Sequence, residues 1–152
     1  MPQASYDVAF EVRGSDWIDL AADQCTMYYT SEGTSVKRFN VCTNTQLTDF
    51  ATGLLGSNAF AVKLLPGGGA LVADRDAIRR LDADGAVTQT YDATGDDHWF
   101  ALALDPGATS FWASDAMNGD VKKFDLASGA VLVSFNTGLA GPDRADGLAI
   151  AR

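Results

Sequence analysis

Apolar and polar positions alternate along this chain in short bursts, broken every few residues by glycine, proline, aspartate or asparagine. Val87-Thr88-Gln89-Thr90-Tyr91 and Val131-Leu132-Val133-Ser134-Phe135 alternate and are rich in β-branched and aromatic residues, which predicts half-buried strands. No segment sustains a helical period. Turns are predicted at Pro66-Gly67-Gly68-Gly69, Asp84-Gly85, Asp105-Pro106-Gly107, Asn118-Gly119 and Ser128-Gly129, where proline fixes φ and glycine supplies positive φ.

The bursts recur as a unit. Leu20, Leu64 and Leu104 each precede a small-residue turn, and Ile150 repeats the position once more, at spacings of 44, 40 and 46 residues. An apolar strand follows each leucine: Met27-Tyr28-Tyr29, Leu71-Val72-Ala73, Phe111-Trp112-Ala113. A strand with a basic pair comes next, carrying Lys37-Arg38, Arg79-Arg80 or Lys122-Lys123. A closing strand ends on Phe50, Tyr91 or Phe135. Four short strands in a period of about 40–50 residues predict an all-β fold of propeller blades, three complete four-stranded antiparallel blades per chain. The single domain spans 1–152, with blades at about 16–52, 58–94 and 98–137. An extra outer strand is expected at 6–12, with its aromatic at Phe10, and an extra inner strand at 147–151. Propellers close with about four to eight blades, so three leave two apolar faces uncovered. Two copies joined into a six-bladed homodimer would cover them, as would the missing blades of a longer parent chain.

Composition narrows the partners. A net charge of −9 over 152 residues argues against nucleic acid, whose binding depends on phosphate neutralisation. The recurring basic pairs are expected on a solvated face beside aspartates. No apolar run approaches the roughly 20 residues that span a bilayer. Met1-Pro2-Gln3-Ala4-Ser5-Tyr6 has neither a basic region nor an apolar core, so no signal peptide is expected within the chain. Cys25 and Cys42 flank the turn Ser31-Glu32-Gly33-Thr34-Ser35. A hairpin centred between Gly33 and Thr34 pairs Tyr28 with Phe39, Thr26 with Val41 and Cys25 with Cys42, which predicts a disulfide. Such a bond points to an oxidising, extracytoplasmic compartment.

The run Gly67-Gly68-Gly69-Ala70-Leu71-Val72-Ala73-Asp74, followed by Ile78-Arg79-Arg80-Leu81-Asp82 and Gly85, resembles an NHL-type repeat. Leu104-Asp105-Pro106-Gly107 with Gly119-Asp120-Val121-Lys122-Lys123-Phe124-Asp125 resembles it again. The resemblance implies a superfamily of six-bladed propellers that includes NHL domains, streptogramin-lyase-like proteins and lactonase-like enzymes. Its motifs are the structural glycines, aspartates and core residues of blades. The first blade departs from them, with Ala22-Asp23-Gln24-Cys25 in place of proline and glycine.

Chemistry is expected on the rim where blade-to-blade connections meet the inner strands. Asp16, Trp17, Asn58, Asp97, His98 and Asp146 are the ligand-binding candidates there. Carboxylates converging on a channel suit Ca²⁺, although Asp and Asn also serve turns, and no cofactor is expected. His98, flanked by Asp96 and Asp97, is the one candidate general base, and a histidine there suits the streptogramin-lyase resemblance. There is no Gly-x-Ser-x-Gly elbow and no phosphate loop. Trp112 aligns with Tyr28 and Val72 and is expected in the core, as are Leu20, Leu64 and Leu104. The expected function is a non-catalytic NHL-like scaffold or binding module. The alternative is a channel-mouth enzyme of the lyase or lactonase type.

Overall fold

The computed structural model describes residues 5–139 and 145–150. These form twelve strands in three antiparallel sheets, each a four-stranded meander, and no helix occurs among the described residues. The first sheet holds β1 (Ile18–Leu20), β2 (Thr26–Tyr29), β3 (Lys37–Asn40) and β4 (Thr45–Gln46). The second holds β5 (Ala59–Leu64), β6 (Ala70–Asp74), β7 (Ala77–Leu81) and β8 (Val87–Tyr91). The third holds β9 (Trp99–Leu104), β10 (Ser110–Asp115), β11 (Asp120–Asp125) and β12 (Val131–Asn136). Neighbouring strands are joined by tight turns, as the glycine and aspartate clusters predicted. Gly85, in the β7–β8 turn at φ +85°, is required twice over: a Cβ there would stand 2.0 Å from the Phe50 carbonyl of the first sheet.

Pairing registers define the two faces of each sheet. Met27, Ala70 and Phe111 are equivalent, because each lies opposite the strand-three residue Phe39, Leu81 or Phe124. Tyr28, Leu71 and Trp112 are therefore equivalent and face forward, toward the next sheet. Trp112 matches Leu71, one residue away from the Val72 expected from the sequence. Forward Tyr28 and Phe50 meet backward Val62, Val72 and Leu81 in one core. Forward Leu71, Ile78 and Tyr91 meet backward Leu102, Phe111 and Phe124 in the other. The core thus lies between sheets, and the middle sheet is buried on both faces.

Three expectations change. The first hairpin pairs Tyr28 with Arg38 and Met27 with Phe39, one residue from the expected register. The Cys25–Cys42 disulfide nevertheless forms, across a Cα separation of 5.2 Å, because Val41 N bonds to Cys25 O and leaves Cys42 just beyond the ladder. Leu20 is 42% exposed, whereas Leu64 and Leu104 are half-buried and pack at the margins of the two apolar clusters, so all three line a cleft and only Leu20 lies outside the core.

The basic pairs are the third. The first cation of each pair turns backward and is largely buried: Lys37 against Asp49 at 3.1 Å, Arg79 against Asp74 at 3.4 Å, Lys122 against Asp96. The second turns forward: Arg38 lies over Tyr28 and Phe50 and Lys123 over Trp112, while Arg80 donates to Leu126 O at 3.1 Å. Burial of the first set is tolerable because each ammonium or guanidinium carries a carboxylate with it.

Residues 6–12 make no ladder with any sheet, and neither do residues 145–150, the described part of the expected inner strand. Ala151 lies outside the described residues. The extended N-terminal segment instead crosses the backward face of the first sheet. Tyr29 donates to Ala9 O at 2.6 Å, and the Tyr6 ring meets Phe39 edge-on. Phe10, the expected aromatic of this segment, is 64% exposed.

Candidate functional site

The inner strands β1, β5 and β9 begin at one rim, and the connections that lead into them are held by a repeated device. Asp74 and Asp115, which end strand two of the second and third sheets, and Ser31, the register-equivalent residue two positions beyond β2, each accept a backbone N–H from the incoming connection. Asp74 Oδ2 takes Gly56 N at 2.7 Å, Asp115 Oδ2 takes His98 N at 3.0 Å, and Ser31 Oγ takes Glu11 N at 3.0 Å. Asp115 Oδ1 also accepts from Met117 N and Asn118 N, so one carboxylate organises both its own turn and its neighbour.

On this frame the rim candidates fall into separate groups. Asn58 Nδ2 donates to Glu32 O at 3.0 Å, and its Oδ1 accepts from Arg75 Nη1 at 3.4 Å, so its amide ties the first two sheets together. Asp16 is exposed, and its N–H bonds to Thr30 O. Its carboxyl is raised above 3.8 by partial burial and then by the Glu32 charge, with Arg13 opposing. Glu32 is itself paired with Arg13 at 3.1 Å. Trp17 points inward and packs against both apolar clusters, filling the centre between the three sheets. Asp97 and His98 share a shallow depression of about 220 Å³ with Gly95, Asp115, Met117 and Asn118. The His98 ring lies 5.5 Å from that of Phe60, which packs on Phe100 at 4.8 Å. Asp146 is half-buried in the segment that follows the third sheet, where Ser114 Oγ donates to Ala145 O. Asp97 and His98 are thus brought together, and so are Asn58 and the Glu32 turn. Among the described residues, no three histidine, cysteine or carboxylate side chains converge in a way that would hold a metal ion.

A second feature escaped the sequence reading. At the far ends of the inner strands a cleft of about 520 Å³ is lined by Leu20, Leu64, Leu104 and Ile150, with Asp19, Lys63 and Asp105 at its edge. Asp19 Oδ2 accepts from Lys63 Nζ at 3.0 Å and from Leu64 N at 2.9 Å, joining the first two sheets. Lys123 pairs with Asp105 at 2.5 Å, and that bond, with one from Ser110, holds the Asp105 carboxyl below 3.8. The recurrence of leucine at one place in every repeat was the available signal. It marks a shared position without saying whether that position is core or cleft.

Buried acids differ from turn acids in a way that titration can check. Asp74 is fully buried and its carboxyl is raised above 3.8 by desolvation, against the pull of Gly56 N–H and Arg79. Asp125, a turn acid, is lowered by the Ser128 N–H and hydroxyl. Carboxyl-carbon NMR is expected to show Asp125 titrating below 3.8 and Asp74 above it; the reverse order would refute the burial argument. For Asp74 the sign follows from linkage. The folded state holds this proton more tightly than the unfolded chain, so its contribution is complete below pH 3.8. It is lost as pH rises through the folded-state value.

No family model matches the sequence, and a search of curated sequences finds no match. Among solved structures, the crystal structure of the computationally designed Ika4 protein is similar throughout. The likeness covers 100% of this chain and 89% of that one, with a TM-score of 0.72 and 13% identity. At that identity the likeness is one of fold alone.

Proposed function

We propose that this chain is a three-blade propeller module of NHL-like type that binds a ligand without catalysis, and that two copies close into a six-bladed ring. The observation that carries the reading is the match between the two outer faces and the two inner junctions. The forward face of the third sheet presents Trp112, Val121 and Phe135, the equivalents of Leu71, Ile78 and Tyr91 in the second junction. The backward face of the first sheet presents Ile18, Tyr29 and Phe39, the equivalents of Leu102, Ala113 and Phe124. Val131, Leu132, Val133 and Phe135 of β12 are all more than 40% exposed, an apolar edge that a neighbouring blade would cover.

Binding is favoured over catalysis by what the rim side chains are engaged in. Asn58 and Asp115 are committed to loop architecture, and the His98 ring packs in a tilted contact beside Phe60. The Cys25–Cys42 bond is compatible with an extracellular location, and we place the module outside the cytoplasm. Sedimentation equilibrium is expected to give twice the 16.0 kDa chain mass. Substituting Asp16, Asp97 or His98 is expected to leave that mass and the melting curve unchanged. A folded monomer with a sharp melt at every concentration would refute the ring. Hydrolysis or elimination that is lost in His98→Ala would favour the lyase-type or lactonase-type alternative.

A further inference from the structure

The closing aromatic of each sheet sits on the backward face of the next. Tyr91 of the second sheet meets Phe111 and Phe124 of the third, with ring centroids 4.9 and 6.0 Å away and both contacts edge-on. Phe39 is the first sheet's counterpart of Phe124. Its seat is taken by Tyr6, with centroids 5.6 Å apart and planes at 65°, against 6.0 Å and 63° for Tyr91 on Phe124. Sequence spacing agrees: Tyr6 precedes Leu20 by 14 residues, Phe50 precedes Leu64 by 14, and Tyr91 precedes Leu104 by 13. The Glu11 N–H to Ser31 bond repeats the bonds that Gly56 and His98 make on entering their sheets. Residues 6–13 thus copy a closing aromatic and an inter-sheet connection, with no strand ladder beneath them. Phe135, the third closing aromatic, has no sheet ahead of it and is 48% exposed beside Trp112.

We infer that Phe39 is a shared seat, held by Tyr6 of the same chain in an isolated subunit and by Phe135 of a second copy in the closed ring. The other end behaves alike. Leu148 and Ile150, with Ala103, Trp112 and Phe135, line an apolar groove of about 320 Å³ on the forward face of the third sheet. Ile150 stands one repeat after Leu104, so this segment lies where β1 of a second copy would arrive. The two terminal segments are therefore caps that imitate the neighbouring blade and must leave before the ring can close. A second copy is the occupant because its forward face brings the residue type that fills this seat at the inner junction: an aromatic closing residue, as Tyr91 is for Phe124. The inference rests on the six-bladed ring proposed above and adds that closure competes with the chain's own ends.

The test is sedimentation equilibrium of the full chain and of Tyr6→Ala, Phe135→Asp and the double variant. Tyr6 is 40% exposed, so its removal is expected to preserve the melting curve. Tyr6→Ala is expected to lower the dimer dissociation constant roughly ten- to a hundredfold, because the ring has two junctions and an aromatic contact no longer opposes closure at either. Phe135→Asp is expected to abolish the dimer in either background. An unchanged or weakened dimer in Tyr6→Ala, with Phe135→Asp still monomeric, would overturn the shared seat and leave the ring standing. Monomers in every variant at every concentration would overturn the ring itself and the inference with it. Fluorotyrosine at position 6 supplies an independent measurement. Its ¹⁹F line is expected to shift as the dimer forms, and a line that stays fixed while the mass doubles would overturn the displacement.

Discussion

Phe124→Ala is expected to lower the unfolding free energy by about 3–5 kcal/mol, the usual cost of emptying a buried aromatic site. Phe124 is fully buried between the second and third sheets, where its ring stacks on Phe111 and meets Trp99 and Tyr91 edge-on. Three aromatic partners are lost at once. The cavity left behind lies among close-packed side chains of two sheets, which refill it only by shifting against one another. Urea denaturation followed by tryptophan fluorescence measures the effect, since Trp99 reports from the same cluster. Leu20→Ala is the control: with Leu20 42% exposed at the edge of a cleft, a shift well under that of Phe124→Ala is expected. If the two variants cost the same, the core does not lie between sheets.

Breaking the Cys25–Cys42 bond is expected to cost about 3 kcal/mol, the loop-entropy value for a bridge closing a loop of this length. The two cysteines are 17 residues apart and clamp the end of the β2–β3 hairpin. The first sheet has most to lose. Its strands are three, four, four and two residues long, while those of the third are all six. β4 contributes only two paired residues, and a single bridge between Val36 and Ala51 continues that edge. A short ladder offers few hydrogen bonds to hold the ends, so the cross-link carries more of the burden there than it would in β10–β11. Urea midpoints of a Cys25→Ser, Cys42→Ser double variant, compared with the oxidised protein, check the figure. Hydrogen exchange should show the loss beginning in the first sheet; uniform loosening of all three would refute that localisation.

The repeat made the architecture legible. Three units of four strands, the turn positions and the cysteine pairing all follow from local chemistry: glycine and aspartate mark chain reversals, and β-branched and aromatic alternation marks strands. Rim residues such as Asn58 and His98 were located for the same reason, since they stand at fixed offsets before the inner-strand leucines. Their partners were not legible. Asn58 is tied to the Glu32 carbonyl 26 residues away, and such a contact exists only once the sheets are stacked.

What the sequence determined by itself, then, was the three four-strand units, their order and the places where the chain turns; the register of the first hairpin and the lack of a ladder at 6–12 and 145–150 were not legible in it. Which way each residue faces was decided by the tertiary structure. In a sheet exposed on one side, alternation between apolar and polar residues sets the register, because a slip of one residue turns the apolar set toward water. Here the middle sheet is covered on both faces, and Leu71, Val72 and Ala73 are apolar in succession. In the first hairpin Met27, Tyr28 and Tyr29 are likewise apolar in succession, and the N-terminal segment covers Tyr29 and Phe39 on the backward face, so alternation does not distinguish the two registers. Tyr28 and Phe39 consequently lie on opposite faces, though the sequence paired them. The basic pairs follow the same logic. Lys37, Arg79 and Lys122 are adjacent in sequence to residues that remain half-exposed, and only the arrival of Asp49, Asp74 and Asp96 from other strands and loops makes their burial possible.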